Sequence, residues 1–233
     1  MPEKISVLVP ARRAVKFLRP CLASIYAQQP NGFEVVVGVD GCRMTLEALR
    51  GLRATQFPAL RILWGEANRG AYVTRNTLAS RAAGDYIVFF DADDTMLSGL
   101  IAWIETRREA REISQFRFVQ RFALSGMTGI SKNGARGVFG IRRDSFDRLG
   151  GFYEWPCSAD TEFQRRAARV LGAPALSPQP LFVYRRHPLS LTRSHKTGAR
   201  SALRRSYQQK IAALSAEDLT ARLDAPIAEM KEV

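Results

Sequence analysis

The chain has 233 residues, 46% hydrophobic and 24% charged, which suits one large globular domain with a substantial core. Its longest apolar run is Tyr86–Phe90, far short of a membrane span, and Met1–Pro10 has no signal-like apolar segment, so a cytoplasmic protein is expected. Three scattered cysteines (Cys21, Cys42, Cys157) and two histidines (His187, His195) offer neither a disulfide framework nor a structural zinc site. The net charge of +13 is concentrated late, with 11 Lys or Arg and no Asp or Glu between Phe163 and Ala216, so an anionic partner is expected.

In chain order, Ile5–Val9 reads as a strand stopped by Pro10, followed by a helix whose apolar face is Leu18, Leu22, Ile25 and Tyr26. Pro20 is tolerable only in a first turn, which places the regular start of that helix near it. Strands are predicted at Phe33–Val39, Leu60–Leu63 and Tyr86–Phe90, with helices at Thr45–Arg53, Ala71–Ala83 and Ser98–Ala110 between and after them. Strands alternating with helices, and apolar throughout, imply a parallel sheet covered on both faces. Beyond Ala110 the pattern gives strands at Ile113–Leu124 and Gly137–Arg142, separated by a glycine-rich loop over Ser125–Arg136. Short helices follow at Asp144–Leu149 and Thr161–Leu171, then a strand at Leu181–Arg185 and a basic helix at Ala199–Leu214. A last segment, Glu217–Val233, has helical character interrupted by Pro226.

Tyr86–Phe90 runs directly into Asp91-Ala92-Asp93-Asp94-Thr95. A buried strand ending in three carboxylates carries both mutual repulsion and a desolvation cost, which a divalent cation would relieve. Mg²⁺ or Mn²⁺ prefers carboxylate oxygen and keeps positions open for phosphate, so a metal-held nucleoside diphosphate is the first reading. The alternative is a helix N-terminus, with Asp94 or Thr95 as cap.

Pro10-Ala11 and Asp40-Gly41 follow the first two strands and would converge with the acidic cluster along one sheet edge, where open α/β sheets bind ligands. Asp40 could accept from a base or ribose, or could simply close an Asx turn. Asn68-Arg69-Gly70 precedes a helix carrying Arg75-Asn76, from which Arg75 could reach a phosphate. Gly150-Gly151-Phe152 with Tyr153 and Trp155 suggests a tight turn presenting aromatic faces to a sugar, and Asp160 and Glu162 then open a helix.

Together Ile5–Pro10, Val39-Asp40-Gly41, Asn68-Arg69-Gly70, Arg75-Asn76 and Asp91–Asp94 resemble the family 2 glycosyltransferases of the GT-A fold, over roughly residues 4–190. Gly150-Gly151-Phe152 followed by Ala159-Asp160 is similar to that family's acceptor-side motif. The resemblance implies a Rossmann-like α/β fold with a mixed, mostly parallel sheet flanked by helices. It implies inverting transfer from a nucleoside-diphosphate sugar, with a uridine diphosphate sugar as the expected donor, to a glycan or lipid-linked acceptor. By the resemblance, Asp93 would bind the metal, with Asp91 or Asp94 assisting or touching the ribose, and His187 of the late Tyr184-Arg185-Arg186-His187 motif would approach the metal or the diphosphate. Pro10, Ala11, Asp40, Asn68, Arg75 and Asp91 would hold the donor, Gly151, Phe152 and Trp155 the acceptor, and Asp160 would be the base. Two departures stand out: Gly41-Cys42 follows Asp40 where the family often has an acid and Gly-Ser, and Ala159 precedes Asp160 where Glu is common. On this division residues 1–195 form the transferase domain, nucleotide-binding to about 110 and acceptor-binding beyond, and 196–233 a basic helical extension.

Other chemistries fit less of the chain. Asp91-Ala92-Asp93-Asp94-Thr95 also matches a haloacid-dehalogenase nucleophile motif, but that chemistry needs a downstream acidic pair in a glycine context that is missing. A sugar nucleotidyltransferase would need a glycine-rich loop where Pro10-Ala11-Arg12-Arg13 stands. A degenerate scaffold acting as a basic membrane- or nucleic-acid-binding module explains the late charge but not the acidic cluster. The expected role of the basic helix (Leu203, Ile211, Leu214 with Arg200, Arg204, Arg205, Lys210) is peripheral attachment to an anionic inner leaflet, against simple packing on the domain.

Overall fold

A computed structural model describes residues 5–30, 32–122, 128–131, 133–188, 190, 193–219 and 226–233. The strands are β1 (Ile5–Ala11), β2 (Glu34–Asp40), β3 (Arg61–Gly65), β4 (Tyr86–Phe89), β5 (Thr95–Met96), β6 (Ile113–Phe122), β7 (Thr128–Ile130), β8 (Phe139–Arg142), β9 (Ala175–Arg186) and β10 (Lys231–Glu232). The helices are α1 (Val15–Tyr26), α2 (Arg43–Thr55), α3 (Ala71–Arg81), α4 (Leu100–Glu105), α5 (Arg143–Leu149), α6 (Ala159–Leu171) and α7 (Ala202–Ala213).

The strands form one sheet in the order β10-β3-β2-β1-β4-β8-β6-β9-β5, with β7 on β6. Its central run β3-β2-β1-β4 is parallel, and β8 joins antiparallel to β4. Successive β1 residues alternate between two cores. Val7 and Val9 pack toward α1 and α2, whereas Leu8 packs with Val36, Ile87 and Phe89 toward α3, α5 and α6. Burial on both faces is why these strands read as unbroken apolar runs. Connections from β1 lead to one side and β4 lies on the other, so the carboxyl ends of β1 and β4 flank the switch in strand order where such sheets hold ligands.

Several boundaries differ from the sequence reading. α1 begins at Val15, five residues before Pro20. The hydrogen bond that Pro20 cannot make would end on Lys16, and both residues are exposed, so water can satisfy the freed carbonyl. The Ser98–Ala110 helix is regular only over Leu100–Glu105, entered through Gly99 at φ +89°. Beyond it Arg107 and Arg108 both donate to the Ile104 carbonyl, tightening the coil into turns. The expected Leu181–Arg185 strand extends over Ala175–Arg186, and Thr128–Ile130, expected as loop, pairs with β6. The remainder of that expected loop at 125–127 and 132, and Leu124, lie outside the described residues, as do 220–225 of the final segment.

At the end of the chain, Lys231–Glu232 adds to the free edge of β3, which the helical expectation for this segment did not foresee. The Asn76 amide donates to the Pro226 carbonyl at 3.2 Å, and Ala228 N–H donates to Thr77 Oγ1 at 2.9 Å, so the tail is laced to α3. Within α7 only Ile211 is buried; Leu203 is 39% exposed. Among the described residues no helix is long and apolar enough to cross a membrane.

Candidate active site

The acids after β4 are not a helix cap. Thr95–Met96 leaves the cluster as a strand paired with β9, and the next helix starts behind Gly99. Asp91, Asp93 and Asp94 each aim a carboxylate oxygen into one spot, with these atoms within 4.8 Å of one another. Asp94 is fully buried; its Oδ1 accepts from Arg185 N–H at 3.0 Å, and its Oδ2 has no partner. Burial, then the charges of Asp93 and Asp91, hold the Asp94 carboxyl well above the usual range. Burial raises Asp91 as well, and the Arg75 guanidinium opposes that rise. His187 Nε2 lies 2.8 Å from Asp93 Oδ2, its ring 4.4 Å from the Phe17 ring, while its buried Nδ1 has no partner. Three carboxylates with an orphaned buried oxygen and an adjacent imidazole are a donor set that fits a hard divalent cation.

Arg75 is 4% exposed and reaches Asp91 Oδ1 at 2.5 Å. Its guanidinium lies 6.0 Å from the Tyr72 ring centre, 5.8 Å from that of Phe89 and 5.9 Å from that of Phe152. Gly137 packs beside this pair, where a Cβ would lie at ordinary contact distance, 3.4 Å from Arg75 Nη2 and 3.5 Å from Asp91 Oδ2.

Asp40, at the end of β2, closes the loop opposite. Its Oδ1 accepts from Arg69 N–H at 2.7 Å and its Oδ2 from Gly70 N–H at 3.0 Å, which fixes Asn68-Arg69-Gly70 at the entrance to α3. Gly41 permits the approach, since at φ +60° its backbone is left-handed and a Cβ would stand 2.6 Å from Asn68 N. Pro10 is half-buried and Ala11 buried at the end of β1, and Asn68 is exposed.

On the other side, Asp160 lies in the first turn of α6, which begins two residues earlier than its sequence pattern suggests. Its Oδ1 accepts from Tyr72 Oη at 3.0 Å and from Thr161 N–H at 2.9 Å. Burial, then the Asp160 charge, raises Tyr72 well above its ordinary value, so the phenol stays protonated and donates. The Asp160 charge also raises Asp91, which ties the two acids to one cleft. Asp160–Tyr72–Arg75–Asp91 is thus a contiguous chain of contacts across it.

Phe152 does not present its ring to a ligand. It is fully buried among Phe89, Phe139, Phe146 and Phe163, with centroids 4.6–6.2 Å away. Five aromatics from five segments complete a core beneath Arg75, and that burial outweighs exposure at the turn. Asn76 clasps the Phe152 backbone with two bonds of 2.9 Å, donating to its carbonyl and accepting from its N–H. Gly151 is buried as well, and Trp155 stacks on Tyr153 at 4.8 Å and meets Tyr207 of α7 at 4.8 Å.

The sequence reading did not single out Arg166, which supports this turn. Its side chain forms a buried pair with Glu162 (2.8 and 2.9 Å) and donates to the carbonyls of Leu149 and, at 2.7 Å, Gly151. The i,i+4 spacing of Glu162 and Arg166 was the available signal. Tyr72 was also missed, and only its place between Gly70 and Arg75 hinted at it.

Residues 6–110 match the family model described as Glycosyl transferase family 2. The uncharacterized glycosyltransferase YibD of Escherichia coli (strain K12) is 34% identical over 92 residues, 40% of this chain and 26% of YibD. The uncharacterized glycosyltransferase EpsJ of Bacillus subtilis (strain 168) is 23% identical over 237 residues, 89% of this chain and 69% of EpsJ. The chain thus spans about a quarter of the length of YibD and just over two thirds of EpsJ. Among solved structures, the mannosyltransferase PcManGT from Pyrobaculum calidifontis in complex with GDP-Man and Mn²⁺ superposes with a TM-score of 0.68 at 18% identity, covering 94% of this chain and 68% of that one. S. aureus TarS 1-349 in complex with UDP-GlcNAc gives a TM-score of 0.62 at 20% identity, covering 79% and 59%. The mixed sheet, its parallel core and the acids at the end of β4 are those the resemblance anticipated; the chain shares the GT-A fold of these structures, and over residues 6–110 it is similar to the family 2 glycosyltransferases.

Proposed function

We propose that this chain is an inverting glycosyltransferase that moves a sugar from a nucleoside-diphosphate sugar, a UDP-sugar in the first instance, to a hydroxyl of a glycan or lipid-linked acceptor. The observation that carries this reading is the cleft in which an over-charged acidic cluster and a separately held carboxylate, Asp160, are joined through Arg75 and Tyr72. A donor side with excess negative charge and an acceptor side with a single carboxylate are what displacement of a diphosphate by an activated hydroxyl requires.

In this reading Asp93, with Asp91 and His187, would hold Mn²⁺ or Mg²⁺. Bound there, the cation would neutralise charge developing on the departing diphosphate. Pro10, Ala11, Asp40, Asn68 and Arg75 line the donor's place. Asp40 acts through the loop that it pins, and Arg75 keeps Asp91 oriented while adding a buried positive charge. Tyr72 and Thr161 N–H occupy Oδ1 of Asp160, so Oδ2 is left to take the acceptor proton as the new glycosidic bond forms. Gly151 and Trp155 shape the acceptor side, Gly151 through its backbone and Trp155 through the Tyr153–Trp155–Tyr207 stack. Nucleic acid has no role in this reading. Peripheral membrane attachment at the cytoplasmic face through α7 is part of it, tested by flotation with neutral and anionic vesicles: equal recovery on both would remove it.

The transfer reading is tested by incubating the chain with each nucleoside-diphosphate sugar and Mn²⁺ and following nucleoside diphosphate release. Release from one donor class, dependent on metal and on Asp160, is expected. Release that persists undiminished in Asp160→Asn would overturn the assignment of the base.

A further inference from the structure

The acid-free stretch of the chain builds a cavity of its own. A space of about 470 Å³ is lined by Arg186, Arg193, Ser194, His195, Arg200 and Ser201 among others. That volume is in the range of small-ligand sites. Three arginines and a histidine line it, with Arg193, His195 and Arg200 exposed at its mouth; no acid is among its described lining residues, and none occurs in the sequence between Phe163 and Ala216. Like charges gathered around a concavity repel unless an anion joins them.

The walls are held in place by their own bonds. Gln120 on β6, with its amide oxygen turned to the guanidinium, accepts from Arg186 at 3.1 and 3.3 Å. Gly198 N–H donates to the Ser194 carbonyl at 2.7 Å, and the Arg204 guanidinium donates to the Thr197 carbonyl at 2.8 Å, folding the loop onto α7. Ser201 caps α7 by accepting from Arg204 N–H at 3.1 Å, so the positive end of that helix opens at the cavity. Arginine forks around a helix start fit the oxygens of a phosphate better than a lone carboxylate. Arg186 immediately precedes His187, which touches Asp93, so the cavity borders the donor cluster without sharing a residue with it.

We propose that this cavity is a second anion site, separate from the acidic cluster, that takes a phosphate or diphosphate group carried by the acceptor. Assigning the anion to the acceptor rests on the transferase reading above; the existence of the site does not. The test is calorimetric titration of the full chain with inorganic pyrophosphate at physiological salt in the presence of a chelator. Wild type and Asp93→Ala are expected to bind equally at one saturable site, and Arg193→Ala/Arg200→Ala at least about tenfold more weakly. The control pair Arg111→Ala/Arg169→Ala, exposed arginines outside the cavity, should bind as wild type does. Absence of saturable binding, or equal weakening in the control pair, would overturn the site. Displacement of pyrophosphate by UDP with Mn²⁺, or its loss in Asp93→Ala, would return the cavity to the donor. Metal-free pyrophosphate binding in a chain that binds no nucleotide with metal would sink the transferase reading and leave the anion site standing.

Discussion

Two charged clusters lie near the cleft, one fully buried and one partly so, and they differ in balance. Glu162 and Arg166, each 1% exposed, match charge for charge, and the remaining donors of Arg166 find the Leu149 and Gly151 carbonyls. Asp91, Asp93 and Asp94 crowd three carboxylates near the Arg75 and Arg185 guanidinium groups and one imidazole, leaving Asp94 Oδ2 unpartnered. The first cluster is complete and holds a turn. The second is incomplete, and its deficit is one of positive charge. Burial alone does not distinguish the two clusters; the imbalance of charge does.

The largest effect should fall at the acid outside both clusters. Asp160→Asn keeps an oxygen for Tyr72 and Thr161 but removes the base, so turnover should drop by about 10²–10⁴-fold with donor affinity unchanged. Steady-state kinetics beside nucleotide titration checks this; parallel loss of both would mean Asp160 serves binding. In the balanced cluster, Arg166→Met strands a buried carboxylate and should cost about 3–5 kcal/mol in urea unfolding. Adding Glu162→Gln should restore part of that loss; a single variant as stable as wild type would show that the pair supports nothing.

Tyr72→Phe should lower turnover by roughly tenfold at constant donor KM, since one hydrogen bond to a charged group is removed. A purely structural tyrosine would leave turnover per folded molecule unchanged.

The smallest effect concerns the imbalance itself. Asp94 is held well above the ordinary carboxylate value, so the folded, metal-free chain keeps a proton that the unfolded chain releases near pH 4. Stability from this group is therefore lost as pH rises from that value through the raised one. Asp94→Asn should flatten this decline and raise the metal-free melting temperature at neutral pH by a few degrees, at about 2–4 °C per kcal/mol for a chain of this size. An identical pH slope in variant and wild type would contradict the account of the cluster.

What the sequence revealed follows from how local the information is. The acidic cluster was legible because three acids adjoin one apolar strand, and the parallel core because its strands are apolar on both faces. Asp40 was legible as a strand-end acid, but not its grip on Arg69 and Gly70, which lies across 29 and 30 residues of chain. Phe152 read as an exposed aromatic because its five ring partners, Tyr72, Phe89, Phe139, Phe146 and Phe163, come from five different elements. β10, two residues long, is too short to carry a period. The late basic run was visible as charge, but its closure into a cavity depends on side-chain bonds to β6 and α7.

The most direct test of the imbalance is a thermal-shift titration with uridine, guanosine, cytidine and thymidine diphosphates, each with and without Mn²⁺, on wild type and Asp93→Ala. The account predicts a metal-dependent rise in melting temperature with one nucleotide class, absent in Asp93→Ala. A rise of equal size without metal, or one that survives Asp93→Ala, would contradict it.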